Sequence, residues 1–488
     1  MADDGKVIDL EDAKKRVKAD LESKIQRINA DVDPLYEDDL WLSRMNEKHA
    51  FINSIGGKPM VLCWTYSETY DKDVIEFRAP EAIKTQYSNQ SVTVHTKDSG
   101  PRVIQLGKWW IEHASRREYE TVAFDPSQGR EIEKNGRKIY NLWEGLNVEP
   151  KKGSWYYTKR HIYRILCNKD KESFKYVIKW FAWMVQNPEK RAEVAIVFKG
   201  KQGAGKSFIF DQFIDIFGVH AMNVSSKDHF AGKFNSHLRT LVFLFADEAY
   251  YPGDVEVAGK IKELITQPKI ATEAKFRDTI LSVNRLHIGM ATNNDWVIPS
   301  DGNDSNRRYF ISAVNNKYAK NHDGITDYER KRYFDRLWGE MNNGGREAML
   351  YDLIHMDLGD WHPRDNVPET EELRYQKRMS IRRQHRIVCN LLENGVFPGE
   401  INKNGEYSTT MSRIFDAVRE EEPELSKIPQ RLVADVLEKV GVVRKRTARG
   451  NNWIFPELHK VRDIWDKTFI PMKWDDKEKW QVEGQTEY

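Results

Sequence analysis

The sequence predicts an α/β fold with a central parallel sheet, because short apolar runs alternate along the chain with a glycine-rich loop and helical patterns. The runs occupy residues 194–198, 241–245 and 286–291. Runs that are apolar at nearly every position are typical of strands buried on both faces, as in parallel sheets. The glycine-rich loop directly follows the first run, and apolar residues at helical spacing follow the loop. We therefore expect the functional groups to lie where these strands end.

Composition limits the class of protein. The chain has 488 residues, so about two to four domains are expected. A net charge of +2 excludes a uniformly basic nucleic-acid coat, and any nucleic-acid contact must come from local patches. Cys63, Cys167 and Cys389 share no metal-ligand spacing, which indicates packing residues in a reducing compartment. No stretch approaches the roughly 18 apolar residues of a membrane span, and no apolar leader follows the first residues. We expect a cytoplasmic protein without a membrane partner.

Five segments are predicted along the chain. They are, in order, an N-terminal accessory α+β domain (residues 1–150), a helical collar or linker (151–190), the α/β core (191–316), a helical segment (317–385) and a winged-helix-like domain (386–488). The last assignment rests on helical patterns at residues 410–419 and 429–440, which precede a basic run and a tight turn at residues 449–452.

Three shorter features are also predicted. Residues 9–30 have the pattern of a charged helix with one apolar stripe. Residues 134–143 predict a β-hairpin, with Asn135-Gly136 at its bend. Residues 374–386 are densely basic and predicted helical. They would serve as a linker or a nucleic-acid strap, and a solvated helix face is an equally good interpretation.

The glycine-rich loop is the most specific motif. Residues 200–207 read GKQGAGKS, which fits the phosphate-binding pattern G-x-x-x-x-G-K-[ST] in its proper context between a strand and a helix. The residues expected to bind the nucleotide are Gly200, Gln202, Gly203, Ala204, Gly205, Lys206 and Ser207. Lys206 would reach the β and γ phosphates, and the Ser207 hydroxyl would ligate Mg²⁺. ATP and Mg²⁺ are therefore the expected cofactors. The alternative interpretation of the loop is a glycine-rich strand-to-helix turn in which the lysine occurs by chance.

Nucleotide hydrolysis also needs a carboxylate for the metal and a group that orients water. The second apolar run continues to Asp247 and Glu248, which we expect to bind Mg²⁺ and to orient water, respectively. The third run leads to Asn293, whose amide could donate to the γ-phosphate and accept from the water. An Asx turn that caps the strand is the alternative for Asn293.

Two adjacent arginines, Arg307 and Arg308, follow this third run. Arginine stabilises charge on a transferring phosphoryl group, and it is often supplied by a neighbouring subunit. A surface salt bridge is the alternative for one of the two.

A predicted hairpin between the second and third runs carries Lys275, Phe276 and Arg277 at its tip. Two cations and an aromatic ring indicate a loop that grips single-stranded nucleic acid through phosphate pairing and base stacking. A plain solvent-exposed hairpin would need only a turn there.

With these motifs, the sequence resembles the superfamily 3 helicases, in particular the phage and prophage branch related to poxvirus-type primase-helicases. The resemblance rests on the order of the glycine loop (Walker A), the strand ending at Asp247 and Glu248 (Walker B), the hairpin, the asparagine and the arginines. It covers about residues 120–360. Flanking stretches that add to it are residues 140–145, 232–235 and 306–308.

The resemblance implies an AAA+ core that assembles into a ring, usually a hexamer, and hydrolyses ATP between subunits. It implies that the central hairpins draw one DNA strand through the ring with 3′-to-5′ polarity. It favours Arg308 over Arg307 as the arginine finger. Some relatives carry a primase-polymerase domain, but residues 1–150 show no paired-carboxylate and histidine constellation. We therefore expect a free-standing helicase with an accessory domain.

The expected function is that of an ATP-dependent DNA helicase which unwinds duplex DNA during replication. The expected partners are single-stranded and forked DNA, further copies of the chain, and a primase or other replisome proteins. A phage-encoded chain would work in the bacterial host cytoplasm. One alternative is an ATPase switch or DNA-binding initiation regulator without processive unwinding, and another is a packaging motor that prefers duplex DNA.

Overall fold

The computed structural model describes most of the chain. The described residues are 34–96, 99–226, 232, 235–248, 255–273, 280–294, 307–419, 422–447, 450–469, 472 and 474–482. The chain divides into two compact units, Met1–Glu144 and Gly145–Tyr488. The helix predicted at residues 9–30 lies outside the described residues. Within the described ranges, no helix is long and apolar enough to cross a membrane.

The first unit combines short helices with antiparallel strands. Its elements are α1 (Pro34–Lys48), β1 (His49–Ile55), β2 (Lys58–Ser67), β3 (Lys72–Arg78), α2 (Pro80–Gln86), β4 (Ser91–Thr96), β5 (Ser99–Gln105), α3 (Leu106–Glu112), β6 (Glu118–Tyr119), β7 (Thr121–Ala123), β8 (Glu131–Lys134) and β9 (Arg137–Asn141). The largest sheet has the order β3-β2-β1-β6. Its hydrophobic cluster contains the fully buried Trp110. Strands β8 and β9 form the predicted hairpin, with Asn135 and Gly136 at positive φ in its turn.

A helical layer opens the second unit. It consists of α4 (Tyr156–His161), a π-helical turn (Ile162–Leu166) and α5 (Lys171–Gln186). The carboxylate of Asp170 caps α5, since it accepts hydrogen bonds from the backbone amides of Glu172 and Ser173. Most of its apolar residues are buried, among them Val177, Phe181 and Met184, and the helix lies inside the segment predicted as a helical collar or linker.

The centre of the second unit is a five-stranded parallel sheet. Its elements in chain order are β10 (Ala195–Lys199), α6 (Phe208–Phe217), β11 (Ala221–Val224), β12 (Phe243–Asp247), α7 (Val255–Thr266), β13 (Lys269–Thr272), β14 (Ile280–Val283), β15 (His287–Thr292) and β16 (Tyr309–Ala313). The sheet order is β11-β12-β15-β10-β16, and each neighbouring pair is parallel. The predicted α/β fold with a central parallel sheet is therefore confirmed.

Burial explains why the apolar runs form this sheet. Strands β10, β12 and β15 are buried almost throughout, as strands covered on both faces must be. Helix α6 packs so closely on β15 that a Cβ atom at Gly289 would lie 2.6 Å from the ring of Phe210. Each strand begins one or two residues later than its predicted run and reaches the polar residues that follow. The polar residues therefore lie at the carboxyl edge of the sheet.

Strands β13 and β14 form an antiparallel hairpin, with Thr272 paired to Ile280 at the end of the described arms. The two arms occur where the sequence predicts them. The tip that contains Lys275, Phe276 and Arg277 lies outside the described residues.

Two further helices, α8 (Asp327–Glu340) and α9 (Arg346–Ile354), follow the sheet. A capping box fixes the start of α8: Thr326 accepts from the amide of Glu329, and the Glu329 carboxylate accepts from Thr326. Helix α9 packs against α5. Helices that precede the sheet in the sequence therefore pack against helices that follow it.

The C-terminal part has a core of its own around Trp465 and Leu437. Its elements are α10 (Glu371–Ser380), α11 (Arg383–Asn394), β17 (Val396–Phe397), β18 (Glu400–Ile401), β19 (Tyr407–Thr410), α12 (Met411–Arg419), α13 (Gln430–Lys439), β20 (Val443–Thr447), β21 (Gly450–Phe455), α14 (Leu458–Thr468) and β22 (Gln481–Val482). Helices α12 and α13 and the antiparallel pair β20–β21 occur in the order that the sequence predicts, while the assignment of a winged-helix-like domain stays a prediction. The basic stretch at residues 374–386 spans two helices, since α10 ends at Ser380 and α11 begins at Arg383. The predicted bounds of the five segments stay predictions.

Candidate functional site

The glycine-rich loop, residues 200–207, connects β10 to α6 at the carboxyl edge of the sheet. Gly203 and Gly205 have positive φ angles of 78° and 91°, a left-handed conformation that disfavours residues with a Cβ atom. A Cβ atom at Gly205 would also lie 2.8 Å from ring atoms of His161 and Phe334. Backbone conformation therefore requires both glycines, and packing additionally requires Gly205.

Lys206 is buried in this loop, with 6% of its surface exposed. Its ammonium group donates to the carbonyl oxygens of Gly200 at 2.7 Å and Lys201 at 2.9 Å, and to Oδ1 of Asn293 at 2.6 Å. Burial lowers the pKa of Lys206, and the two carboxylates at the end of β12 act in the opposite direction. The loop thus holds a desolvated cation beside two acids and an amide.

Ser207 and Asp247 form the second contact of the site. The Ser207 hydroxyl lies 3.3 Å and 3.2 Å from the two carboxylate oxygens of Asp247. Burial raises the pKa of Asp247, while the hydrogen bond from Ser207 lowers it. These are hard oxygen donors of the type that Mg²⁺ prefers together with phosphate oxygens and water. Among the described residues, no group of three or more His, Cys, Asp or Glu side chains could hold a metal ion.

Glu248 follows Asp247 directly and has a positive φ of 54°, which is uncommon for a residue with a side chain. Its amide donates to the carbonyl of Ala291 on the neighbouring strand β15, at 3.0 Å. Its carboxylate accepts a hydrogen bond from the side-chain amide of Asn293. Asn293 therefore contacts Glu248 through nitrogen and Lys206 through oxygen. The insertion of β15 between β10 and β12 makes this bridge possible.

Arg307 and Arg308 lie at the opposite edge of the sheet. The carbonyl of Arg308 accepts from the amide of Ala195, at the start of β10. Five residues of β10 separate this point from the loop, which corresponds to about 17 Å of strand. The two arginines line a cavity of about 240 Å³ together with Arg191, Glu193, Thr266 and Arg364. The structure thus brings Lys206, Ser207, Asp247, Glu248 and Asn293 together and leaves both arginines apart from them.

The loop has supporting contacts that sequence reasoning missed. His161 donates from Nε2 to the Gly205 carbonyl at 3.0 Å, and its Nδ1 accepts from the hydroxyl of Tyr333 at 2.8 Å. Burial lowers the pKa of His161 to about 4, so the ring is neutral near pH 7. Oδ1 of Asn316 accepts from the amide of Lys201 at 2.8 Å. No sequence signal connects these residues to the loop, because tertiary packing alone brings them there.

A third carboxylate near the site was also missed. Burial is the main cause that raises the pKa of Asp211 to about 6, and the charges of Asp247 and Asp215 add to it. Asp211 lies in the first turn of α6, where an acidic residue is ordinary for helix stability. Its position in the sequence therefore gave no reason to assign it to the site.

The candidate site lies in a segment of the chain that matches a known protein family. Residues 198–308 match a family of unknown function, DUF5906. The matched segment begins just before the glycine loop and ends at Arg308, and it includes Asp247 and Asn293. It covers less than half of the chain.

A phage enzyme is among the relatives. The DNA primase-polymerase of Nitratiruptor phage NrS-1 is 26% identical over 206 residues, which are 40% of this chain and 27% of that protein. The chain therefore matches about a quarter of the length of this curated relative, and it is related to a phage primase-polymerase to that extent.

Solved structures of the C-terminal region of NrS-1 share the fold. An apo structure has a TM-score of 0.58 at 17% identity and covers 87% of this chain and 99% of that one. An A-form apo structure has a TM-score of 0.57, with the same identity and coverage. At this identity the likeness shows the mixed α/β fold alone.

Proposed function

We propose that this protein is an ATP-dependent DNA helicase of phage or prophage replication, with an AAA+ core that works as a ring. The observation that carries the proposal is the joint placement of five side chains at the carboxyl edge of the sheet. They are Lys206, Ser207, Asp247, Glu248 and Asn293. Hydrolysis of a nucleoside triphosphate requires groups of these kinds: a cation for the phosphates, oxygen ligands for the metal ion, and a carboxylate that orients water. The relation to a phage DNA primase-polymerase supports a role in replication.

The loop would bind the triphosphate through its backbone amides, and Lys206 would exchange one of its three present acceptors for phosphate oxygens. Ser207 and Asp247 would hold Mg²⁺, which neutralises charge on the β and γ phosphates. His161 and Asn316 would keep the loop in its binding conformation, because they bond its backbone from outside.

Glu248 would orient the attacking water and accept its proton. The water oxygen would form a bond to the γ phosphorus, while the bond from that phosphorus to the bridging oxygen breaks and ADP leaves. Asn293 would aim the Glu248 carboxylate, since its amide nitrogen already bonds that group. Asn293 also accepts a hydrogen bond from Lys206, so one chain of hydrogen bonds connects Lys206 with Glu248.

The remote position of Arg308 supports an assembly. A residue at the amino edge of the sheet is separated by about 17 Å of strand from the loop of its own chain, and an arginine side chain is too short to cross this distance. Arg308 would instead reach the triphosphate of a neighbouring copy, where an arginine stabilises charge in the transition state. Repetition of this head-to-tail contact closes a ring, for which a hexamer is our proposal.

Strands β13 and β14 would carry the DNA contacts. They pair as antiparallel strands, and Lys275, Phe276 and Arg277 lie between them in the sequence, at the predicted tip. Cations and an aromatic ring at such a tip suit the phosphates and bases of a single strand. The tips would draw this strand through the ring as hydrolysis proceeds, with 3′-to-5′ polarity.

Strand displacement on a forked DNA duplex tests the proposal. The full chain is expected to release the displaced strand only with ATP and Mg²⁺. The Lys206→Ala variant should release none, because the γ-phosphate loses its buried cation. A chain that hydrolyses ATP but leaves the fork intact would refute the helicase and favour an ATPase switch or initiation regulator. Preference for duplex DNA without a fork would favour a packaging motor.

A further inference from the structure

A second cavity, of about 300 Å³, lies beside the glycine loop on the side of the helical layer. We call it the basic pocket and define it by Tyr157, Arg160, Arg164, Lys317, Tyr333 and Arg336. Tyr333 connects it to the loop, because its hydroxyl bonds His161, which bonds the Gly205 carbonyl. The nucleotide chemistry proposed above uses none of the six residues that define this pocket.

The charged side chains among the described residues that line the basic pocket are all positive. Of the described residues that line it, five are cationic and none is acidic; Lys169 is the fifth cation. Within the described part of the chain, none of the five lies within ion-pair distance of a carboxylate, although hydrogen bonds with Thr326 and, after them, the charge of Lys317 lower the pKa of Glu329. Arg160 bonds the Tyr156 hydroxyl, Arg336 lies over the Tyr157 ring, and Lys317 lies over the Tyr318 ring. Because the whole chain has a net charge of only +2, this concentration of cations is a local feature that attracts a polyanion.

Aromatic rings accompany these cations. Tyr318 stacks on Tyr333 with ring centroids 3.7 Å apart and planes 9° from parallel. Tyr156 and Tyr157 are 57% and 41% exposed, whereas tyrosine has intermediate burial on average. Their rings contact each other edge to face at 5.5 Å and continue the aromatic surface beside the cavity. Cations interleaved with exposed rings suit a ligand that alternates phosphates and flat bases.

We propose that the basic pocket binds single-stranded DNA, with phosphates against Arg164, Arg336 and their cationic neighbours and a base against Tyr157. The cations extend from Arg160 on α4 to Arg336 on α8, and the rings continue outside the cavity. Cations and rings spread over this length suit a DNA strand that passes over the surface better than they suit a single mononucleotide. The pocket would be a DNA site separate from the hairpin tip at residues 275–277, and its binding step needs no ATP hydrolysis.

Fluorescence anisotropy with a labelled single-stranded oligonucleotide and no nucleotide tests this site. The full chain with Arg164→Ala and Arg336→Ala is compared with a matched control, Lys331→Ala and Arg332→Ala, which removes two exposed cations of α8 that do not line the pocket. Loss of two phosphate contacts should weaken binding roughly tenfold or more near 0.1 M salt and reduce the slope of log K against log salt by about 1.4. The control should bind as the unmodified chain does.

A second variant and a second ligand complete the test. Tyr157→Ala removes an exposed ring without changing charge and should weaken DNA binding about fivefold or more. Binding of a fluorescent ATP analogue is measured on the same variants and should be unchanged. Unchanged DNA affinity in both variants would overturn the proposal, and so would loss of ATP-analogue binding with DNA binding retained, which would assign the pocket to a mononucleotide. A failure of ATP hydrolysis in the unmodified chain would refute the proposed function and leave this test intact.

Discussion

Replacement of Glu248 by glutamine is expected to leave ATP bound and to reduce its hydrolysis by about 10²–10⁴-fold. A glutamine side chain has nearly the same shape and can still accept the hydrogen bond that Asn293 donates to this position. It cannot accept a proton from water, because an amide is a far weaker base than a carboxylate. Phosphate release and binding of a fluorescent ATP analogue, both measured on the full chain, separate the two effects.

A matched control for this variant is Glu438→Gln, on the exposed surface of α13 and away from the site. It removes the same charge and should hydrolyse ATP at the unmodified rate. Loss of ATP binding in Glu248→Gln would contradict the assigned role, because the carboxylate would then hold the nucleotide rather than act on water. Full hydrolysis in Glu248→Gln would contradict it as well.

Replacement of Arg308 by alanine is expected to reduce hydrolysis by about 10³-fold or more, since an arginine that neutralises the transferring phosphoryl group contributes on this scale. Binding of ATP should change little, because the residue lies at the far edge of the sheet from the loop that would hold the nucleotide. Arg307→Ala is the matched comparison, and a smaller effect there assigns the finger to Arg308.

Mixing the Arg308→Ala and Lys206→Ala chains distinguishes action between subunits from action within one. The first chain keeps an intact loop and the second keeps an intact arginine. Random mixing in equal amounts should therefore create competent contacts at about a quarter of the interfaces. Hydrolysis should recover in the mixture although neither variant is active alone. Absence of recovery in oligomers shown to contain both chains would mean that the arginine does not act across a subunit boundary.

The sequence predicted those parts of the core that follow from local patterns. The strand before the loop, the loop itself and the strand that ends at Asp247 each carry their signal within a few consecutive residues. Buried parallel strands need apolar residues on both faces, and a tight phosphate loop needs glycine at positive φ. The pattern of two helices and a hairpin at residues 410–455 was predictable for the same reason.

The parts that depend on the order of strands were not predictable from those patterns. The bridge from Lys206 through Asn293 to Glu248 exists because β15 lies between β10 and β12, and nothing in an apolar run specifies its neighbours. The separation of Arg308 from the loop likewise follows from the parallel pairing of β10 with β16. His161 joined the site only through packing of α4 against the loop.

In the proposed ring, the triphosphate lies across a boundary between two copies of the chain. Electron cryomicroscopy of the full chain with a non-hydrolysable ATP analogue and forked DNA tests it most directly. We expect a ring in which each nucleotide lies between Lys206 of one subunit and Arg308 of the next, with one DNA strand in the central channel. Nucleotide bound to single chains, with Arg308 remote from every phosphate, would contradict it.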